Sequence, residues 1–137
     1  MGKGYIGTER RRHKRLEVNF TIIYRVDRPL EVRMMVGDKG VEALMLDLSE
    51  GGMCILTDYN IPIWTVLDIK FSLINLYVSS NERAKPMQIT GEVRYNILTP
   101  DRIYRLGICF TDIDEKDKTA IIDFLNKTSH HKESQPL

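Results

Sequence analysis

Two short stretches carry the side chains best suited to chemistry. The first is Glu9-Arg10-Arg11-Arg12-His13-Lys14-Arg15, directly ahead of an apolar, β-branched run. Arg11 and Arg15 stand four residues apart, and each presents a planar fork of donors that matches phosphate oxygens or the O6 and N7 edge of guanine. The second is Asp47-Leu48-Ser49-Glu50-Gly51-Gly52. By the two-residue period of a strand, Asp47 and Ser49 fall on one side; both accept hydrogen bonds and serine also donates. Gly52 permits a backbone geometry, or a close ligand approach, that a side chain would block. Each stretch also has an ordinary reading: a solvated basic arm with no specific ligand, and a hairpin turn whose Asp47 and Ser49 bond their own backbone.

The positive charge is local. Residues 9–15 hold five cationic side chains against one carboxylate, a charge of +4, so the remaining chain sums to −3 beneath a net charge of +1. A protein gripping a long polyanion spreads its basic residues over a face, because affinity grows with the number of phosphates neutralised. A short basic knot on a mildly acidic body suits a small anion instead.

Catalysis has little support. His13 lies in the basic knot and His130 and His131 near the C-terminus, so no histidine is expected beside a nucleophile on a rigid scaffold. Cys54 and Cys109 sit in apolar runs at no metal-ligand spacing and read as free thiols of a reducing compartment. Gly51-Gly52 is too short for a phosphate-cradling loop, and no Lys-Ser or Lys-Thr pair follows it. The 19 carboxylates make chance acidic pairs unremarkable. A binding module is expected, with no catalytic residues and no metal. No stretch approaches the roughly 18 uninterrupted apolar residues of a membrane span, and MGKGYIGTERRRHKR lacks the apolar region of a signal peptide. The expectation is a cytoplasmic protein with no membrane insertion.

The elements that must position these residues follow from periodicity. The 137 residues, 42% of them hydrophobic, suit one domain with a modest core. Val18, Phe20, Ile22, Tyr24 and Val26 alternate with more polar residues, the mark of a half-buried strand. A short extended piece is expected around Val32 to Val36, after the Arg28-Pro29 turn. Further strands are expected at Ala43–Leu48, Met53–Thr57, Val66–Leu73, Gln88–Ile97 and Ile103–Phe110, joined by turn-rich segments and a polar loop over residues 75–86. Such a series points to an antiparallel barrel or sandwich. Near the end Ile113, Ala120, Ile121, Phe124 and Leu125 change to helical spacing, with acidic residues ahead of them.

Taken in order, Arg11-x-x-x-Arg15 and Asp47-x-Ser49-x-x-Gly52 resemble the signature of PilZ domains, bacterial receptors for the second messenger cyclic di-GMP. The resemblance extends to "YRLGICF", residues 104–110, as the last barrel strand and to the C-terminal helix. It implies a mainly β fold: a six-stranded antiparallel PilZ-type β-barrel with a flexible basic N-terminal arm and one C-terminal α-helix. The implied boundaries are residues 1–16 for the arm with its RxxxR motif, 17–128 for the barrel and helix, and 129–137 for a disordered tail.

The resemblance also implies a ligand site. Arg11 and Arg15 would wrap phosphates and guanine edges from an arm that orders on binding, while Asp47, Ser49 and Gly52 form the barrel side. Arg10, just before the motif, is similar to the pattern of PilZ domains that bind an intercalated pair of ligands. A dianion with guanine acceptor edges on two bases complements this basic knot in charge and hydrogen-bonding type. The implied role is a non-enzymatic cyclic di-GMP receptor or adaptor, with no other cofactor. It would signal to an unidentified protein partner in motility, exopolysaccharide, biofilm or pilus output. Two alternatives stand beside it: a PilZ-fold adaptor that binds only protein, and a small nucleic-acid-binding barrel with Tyr24, Phe71 or Tyr95 stacking on bases. Those aromatics alternate with apolar residues and are expected to face the core, so no nucleic-acid partner is expected.

Overall fold

Alternating apolar residues become strands that each bury one face. The computed structural model describes residues 16–74 and 84–134. The chain runs β1 (Leu16–Arg28), α1 (Leu30–Val36), β2 (Val41–Ser49), β3 (Gly52–Thr57), β4 (Val66–Ile74), β5 (Ala84–Leu98), β6 (Tyr104–Asp112) and α2 (Glu115–Ser134). The strands close into an antiparallel barrel in the order β1-β2-β3-β6-β5-β4, with β4 returning to pair with β1 from Ile23↔Lys70 to Arg28↔Val66. Closure removes free sheet edges wherever the ladder is complete. This is the six-stranded barrel with a C-terminal helix expected from the sequence.

Inward residues fill the barrel. Ile22, Tyr24 and Val26 of β1 meet Ala43, Met45 and Leu48 of β2, Ile55 of β3, Ile69 of β4, Ile89 and Val93 of β5, and Leu106 of β6 in one buried cluster. The last helix joins it through Ile121, Phe124 and Leu125, and Phe124 meets Phe20 with ring centroids 5.9 Å apart, tilted by 56°. The tilted arrangement suits two quadrupolar rings.

Tyr24 is fully buried, and its hydroxyl pairs with Thr57 Oγ1 at 2.7 Å. Burial, set against that hydrogen bond, pushes its pKa up to about 12. Between pH 10 and that value the folded chain keeps a proton the unfolded chain has lost, so unfolding releases a proton and stability falls as pH rises. The loss is expected to reach roughly 2 kcal/mol. Denaturant titrations at pH 9 and pH 12 check it: Tyr24→Phe is expected to lose less stability over that interval than the parent. An equal loss in both proteins would contradict the assignment.

The structure departs from the sequence reading in three places. Residues 30–36 form α1 rather than an extended piece. Only Val32 of the segment is buried, so the period-two spacing of Val32, Met34 and Val36 reflected no buried face, and the helix-favouring Leu30, Glu31, Arg33, Met34 and Met35 decided the outcome. Gly37, at φ 101, ends the helix with its N–H on the Arg33 carbonyl. Second, α2 runs to Ser134, so residues 129–134, expected in a disordered tail, are helical. Neither glycine nor proline stands between Glu115 and Pro136, and each added helical residue gains a backbone bond once a nucleus exists. Third, β5 begins at Ala84, so residues 84–86 of the expected polar loop pair with β4. The rest of that loop, residues 75–83, the arm through Arg15 and residues 135–137 lie outside the described residues.

Candidate ligand-binding site

A bulge sets Asp47 and Ser49 on the side of β2 away from the core. Met45 pairs with Ile55 and Asp47 with Cys54, which leaves Leu46 as an extra residue in β2. The shift lets both Met45 and Leu48 point into the core and sets Asp47 and Ser49 on the other side of β2, where Asp47 is half-buried and Ser49 is buried, the kind of re-aiming that bulges perform beside binding sites. The two-residue Glu50-Gly51 loop then joins β2 to β3, with Ser49 opposite Gly52. Ser49 Oγ donates to the Gly52 carbonyl at 3.3 Å, and Phe110 N–H donates to the Gly51 carbonyl at 2.9 Å. The turn is thereby tied to the end of β6.

Gly52 is required by close approach rather than by an unusual φ. A Cβ placed there would collide with the Ile108 carbonyl oxygen and lie 3.2 Å from the carbonyl carbon, both backbone atoms of the neighbouring strand. The third motif position therefore holds β3 against β6.

β1 begins beside this turn. Leu16 pairs with Leu48, and Glu17 with Asp47, so the chain that leaves β1 toward Arg15 and Arg11 departs next to Asp47. Arg10, Arg11 and Arg15 themselves lie outside the described residues. Of the six site residues read from the sequence, the structure brings together Asp47, Ser49 and Gly52.

A group missed by the sequence reading continues from Asp47. The strand register sets Asp47, Cys54, Gly107 and Tyr95 in one row across β2, β3, β6 and β5. Cys54 is buried, and Arg105 Nε donates to its sulfur at 3.1 Å, with the Tyr95 hydroxyl at 3.5 Å from the same atom. Burial first, then the hydrogen bond to Cys54, raises the Tyr95 pKa, and the Asp47 carboxylate adds to the rise. The hydrogen bond to Cys54 likewise raises that of Arg105.

Tyr95 corrects the expectation that all three aromatics face the core. Tyr24 and Phe71 are buried, but a bulge between Val93 and Tyr95 flips the alternation of β5 and leaves Tyr95 37% exposed. One signal was present in the sequence: Gly107, set between the core residues Leu106 and Ile108, marks a strand position where something approaches closely. Both cysteines are free. Among the described residues, no cluster of His, Cys, Asp and Glu is placed to hold a metal ion, and no helix is long and apolar enough to cross a membrane.

Comparisons with known proteins agree with this architecture. The Bacillus subtilis inhibitor of motility, MotI/DgrA, superposes with a TM-score of 0.70 at 14% identity, over 90% of this chain and 53% of that one; the chain thus spans about half of the Bacillus protein. The PilZ domain of YcgR from Escherichia coli, determined with c-di-GMP, gives 0.58 at 14% identity over 93% and 99%. A tetrameric PilZ protein of Xanthomonas campestris gives 0.63 at 12% identity over 98% and 100%. At these identities the likeness is one of fold. No curated protein sequence matches the chain. The family model described as "PilZ domain" matches residues 9–127, from the first residue of the basic knot into the C-terminal helix, and with the barrel order and the Asp47-Ser49-Gly52 turn it establishes that the chain belongs to the PilZ domain family.

Proposed function

We propose that this chain is a receptor for cyclic di-GMP whose N-terminal arm closes over the barrel when ligand binds. The observation that carries the reading is the juxtaposition of Asp47, Ser49 and Gly52 at the β2-β3 turn, next to the start of β1 at Leu16 and Glu17, from which the sequence leads back to Arg15 and Arg11. The arginine forks would take phosphate oxygens and guanine O6/N7 edges, with the barrel residues supplying acceptors and a backbone surface. The PilZ domain of YcgR holds c-di-GMP, which supports the ligand class.

The protein acts by changing surface rather than by catalysis. An ordered arm would present a new face to a protein partner, and motility control is the output favoured here, because a MotI/DgrA protein that shares the fold is an inhibitor of motility. Folding a segment on binding converts ligand affinity into a partner-specific surface. The reading places the receptor in the cytoplasm.

Arg10 sets the stoichiometry. An intercalated pair of ligands brings four phosphates together, and a third guanidinium beside Arg11 and Arg15 offsets that repulsion while stacking on an exposed guanine. Calorimetry at a known active protein concentration is expected to show two ligands per protomer, falling toward one in Arg10→Leu. A parent ratio near one would remove this role from Arg10.

A further inference from the structure

We infer that the barrel is open along one seam, between the N-terminal half of β1 and the C-terminal half of β4, and that this seam docks an extended segment of a partner protein, added as a strand antiparallel to β4. The seam lies on the side of β1 opposite β2 and holds no residue of either motif. It does not depend on the cyclic di-GMP reading.

The opening is visible in the ladder. β1 pairs with β4 only from Ile23↔Lys70 to Arg28↔Val66, whereas β4 continues to pair with β5 as far as Ile74↔Ala84. Past Lys70, β4 therefore has no strand on its β1 side among the described residues. A bulge accounts for the parting: the register of β1 shifts between Glu17 and Phe20, and a bulged strand bends. Pro86 identifies the backbone groups left over. It has no N–H and stands opposite Ser72, a place proline takes where the two residues turn their backbone groups away from each other. The N–H and C=O of Ser72, and by the period of two those of Ile74, thus point into the seam, as those of Lys70 point to β1. Unpaired groups in such a row are a template for another strand.

The seam is also a groove of about 870 Å³. Phe20, Phe71 and Met87 line it from the core side, and Ile23 and Ile74 line it at the surface, where they are 45% and 43% exposed. Isoleucines left in water at one groove mark a contact surface, and an added strand would lay every second side chain on them. The charges set its direction. Lys70 stands where β1 and β4 part, and Asp117, half-buried in the first turn of α2, lines the same groove. Neither side chain has an ion pair among the described residues. Since Phe124 of α2 meets Phe20, α2 covers the end at which β1 begins and β4 finishes. A strand antiparallel to β4 runs from that end toward Lys70, so the segment that fits has a basic residue ahead of its apolar alternation and an acidic residue after it.

Fluorescence anisotropy of a labelled probe, Lys-Val-Thr-Val-Thr-Val-Glu with blocked termini, titrated with the full chain in the absence of cyclic di-GMP, tests the seam. Saturable binding is expected. N-methylation of one alternating set of the probe's backbone amides is expected to weaken it by about tenfold or more, and of the other set much less, because only one set faces β4. Ile74→Lys is expected to cost about tenfold, and Lys70→Glu about fivefold, the latter restored by a probe ending in Lys instead of Glu. Both positions are exposed, so thermal unfolding of the two variants is expected to match the parent. No binding by the parent, equal effects of the two methylated sets, or unchanged affinity in Ile74→Lys would each overturn the inference. A chain that sediments as a dimer and becomes a monomer in Ile74→Lys would give the seam to a second copy, and would overturn the partner segment.

Discussion

Arg11→Ala and Arg15→Ala are each expected to lower cyclic di-GMP affinity by roughly thirtyfold to a thousandfold, while the melting temperature of the ligand-free protein stays close to that of the parent. Each substitution removes a charge-assisted, bidentate fork, worth on the order of 2 to 4 kcal/mol in a phosphate or guanine contact. Both residues precede β1 (Leu16–Arg28) in the sequence, so the barrel's own stability is expected to change little. Arg12→Ala and Lys14→Ala are the internal controls. Their charges add to the field without a fork aimed at the ligand, so their effects are expected to be small and to shrink further as salt rises. Calorimetry at two ionic strengths reads all four. Equal losses throughout would reduce the clamp to nonspecific electrostatics.

Gly52→Ala is expected to damage the fold as well as the site. The added carbon meets the Ile108 carbonyl oxygen and carbon and the Cys109 Cα, all backbone, so no side-chain rotamer relieves the clash and the β3-β6 ladder must open. The loss is expected to be on the order of 3 kcal/mol, or roughly a 10 °C fall in melting temperature for a domain of this size. Because the Gly52 carbonyl accepts from Ser49 Oγ, the shift also moves the outer face that would meet ligand. Thermal unfolding followed by titration well below the lowered midpoint separates the two effects. A variant that melts and binds as the parent does would show that β6 yields freely at this point.

The strands were legible wherever one face alone is buried. Leu67, Ile69, Phe71 and Leu73 alternate without interruption, and β4 follows them with their side chains inside. α1 was not legible, because burying Val32 alone leaves no apolar stripe at helical spacing. Asp47 and Ser49 stayed on a common side as read, since both follow the bulge at Leu46, but the bulge itself left no mark in the residue pattern. Tyr95 failed for the same reason: the register shift after Val93 turns a regular alternation inside out. The Cys54 group was invisible for another reason. Its hydrogen bonds join residues 41 and 51 positions apart, and only closing β3 on β6 and β6 on β5 brings them together.

The exposed Tyr95 ring also gives weight to the nucleic-acid alternative, because an outward aromatic beside a basic arm is what a single-strand binder uses. One measurement decides between that reading and the receptor: parallel calorimetric titrations of the purified, folded chain with cyclic di-GMP, GTP and a short single-stranded oligonucleotide. Saturable binding of cyclic di-GMP at low-micromolar affinity or tighter is expected, with no heat from GTP or the oligonucleotide. A flat trace with cyclic di-GMP, in a sample whose fold is confirmed by circular dichroism, would contradict it.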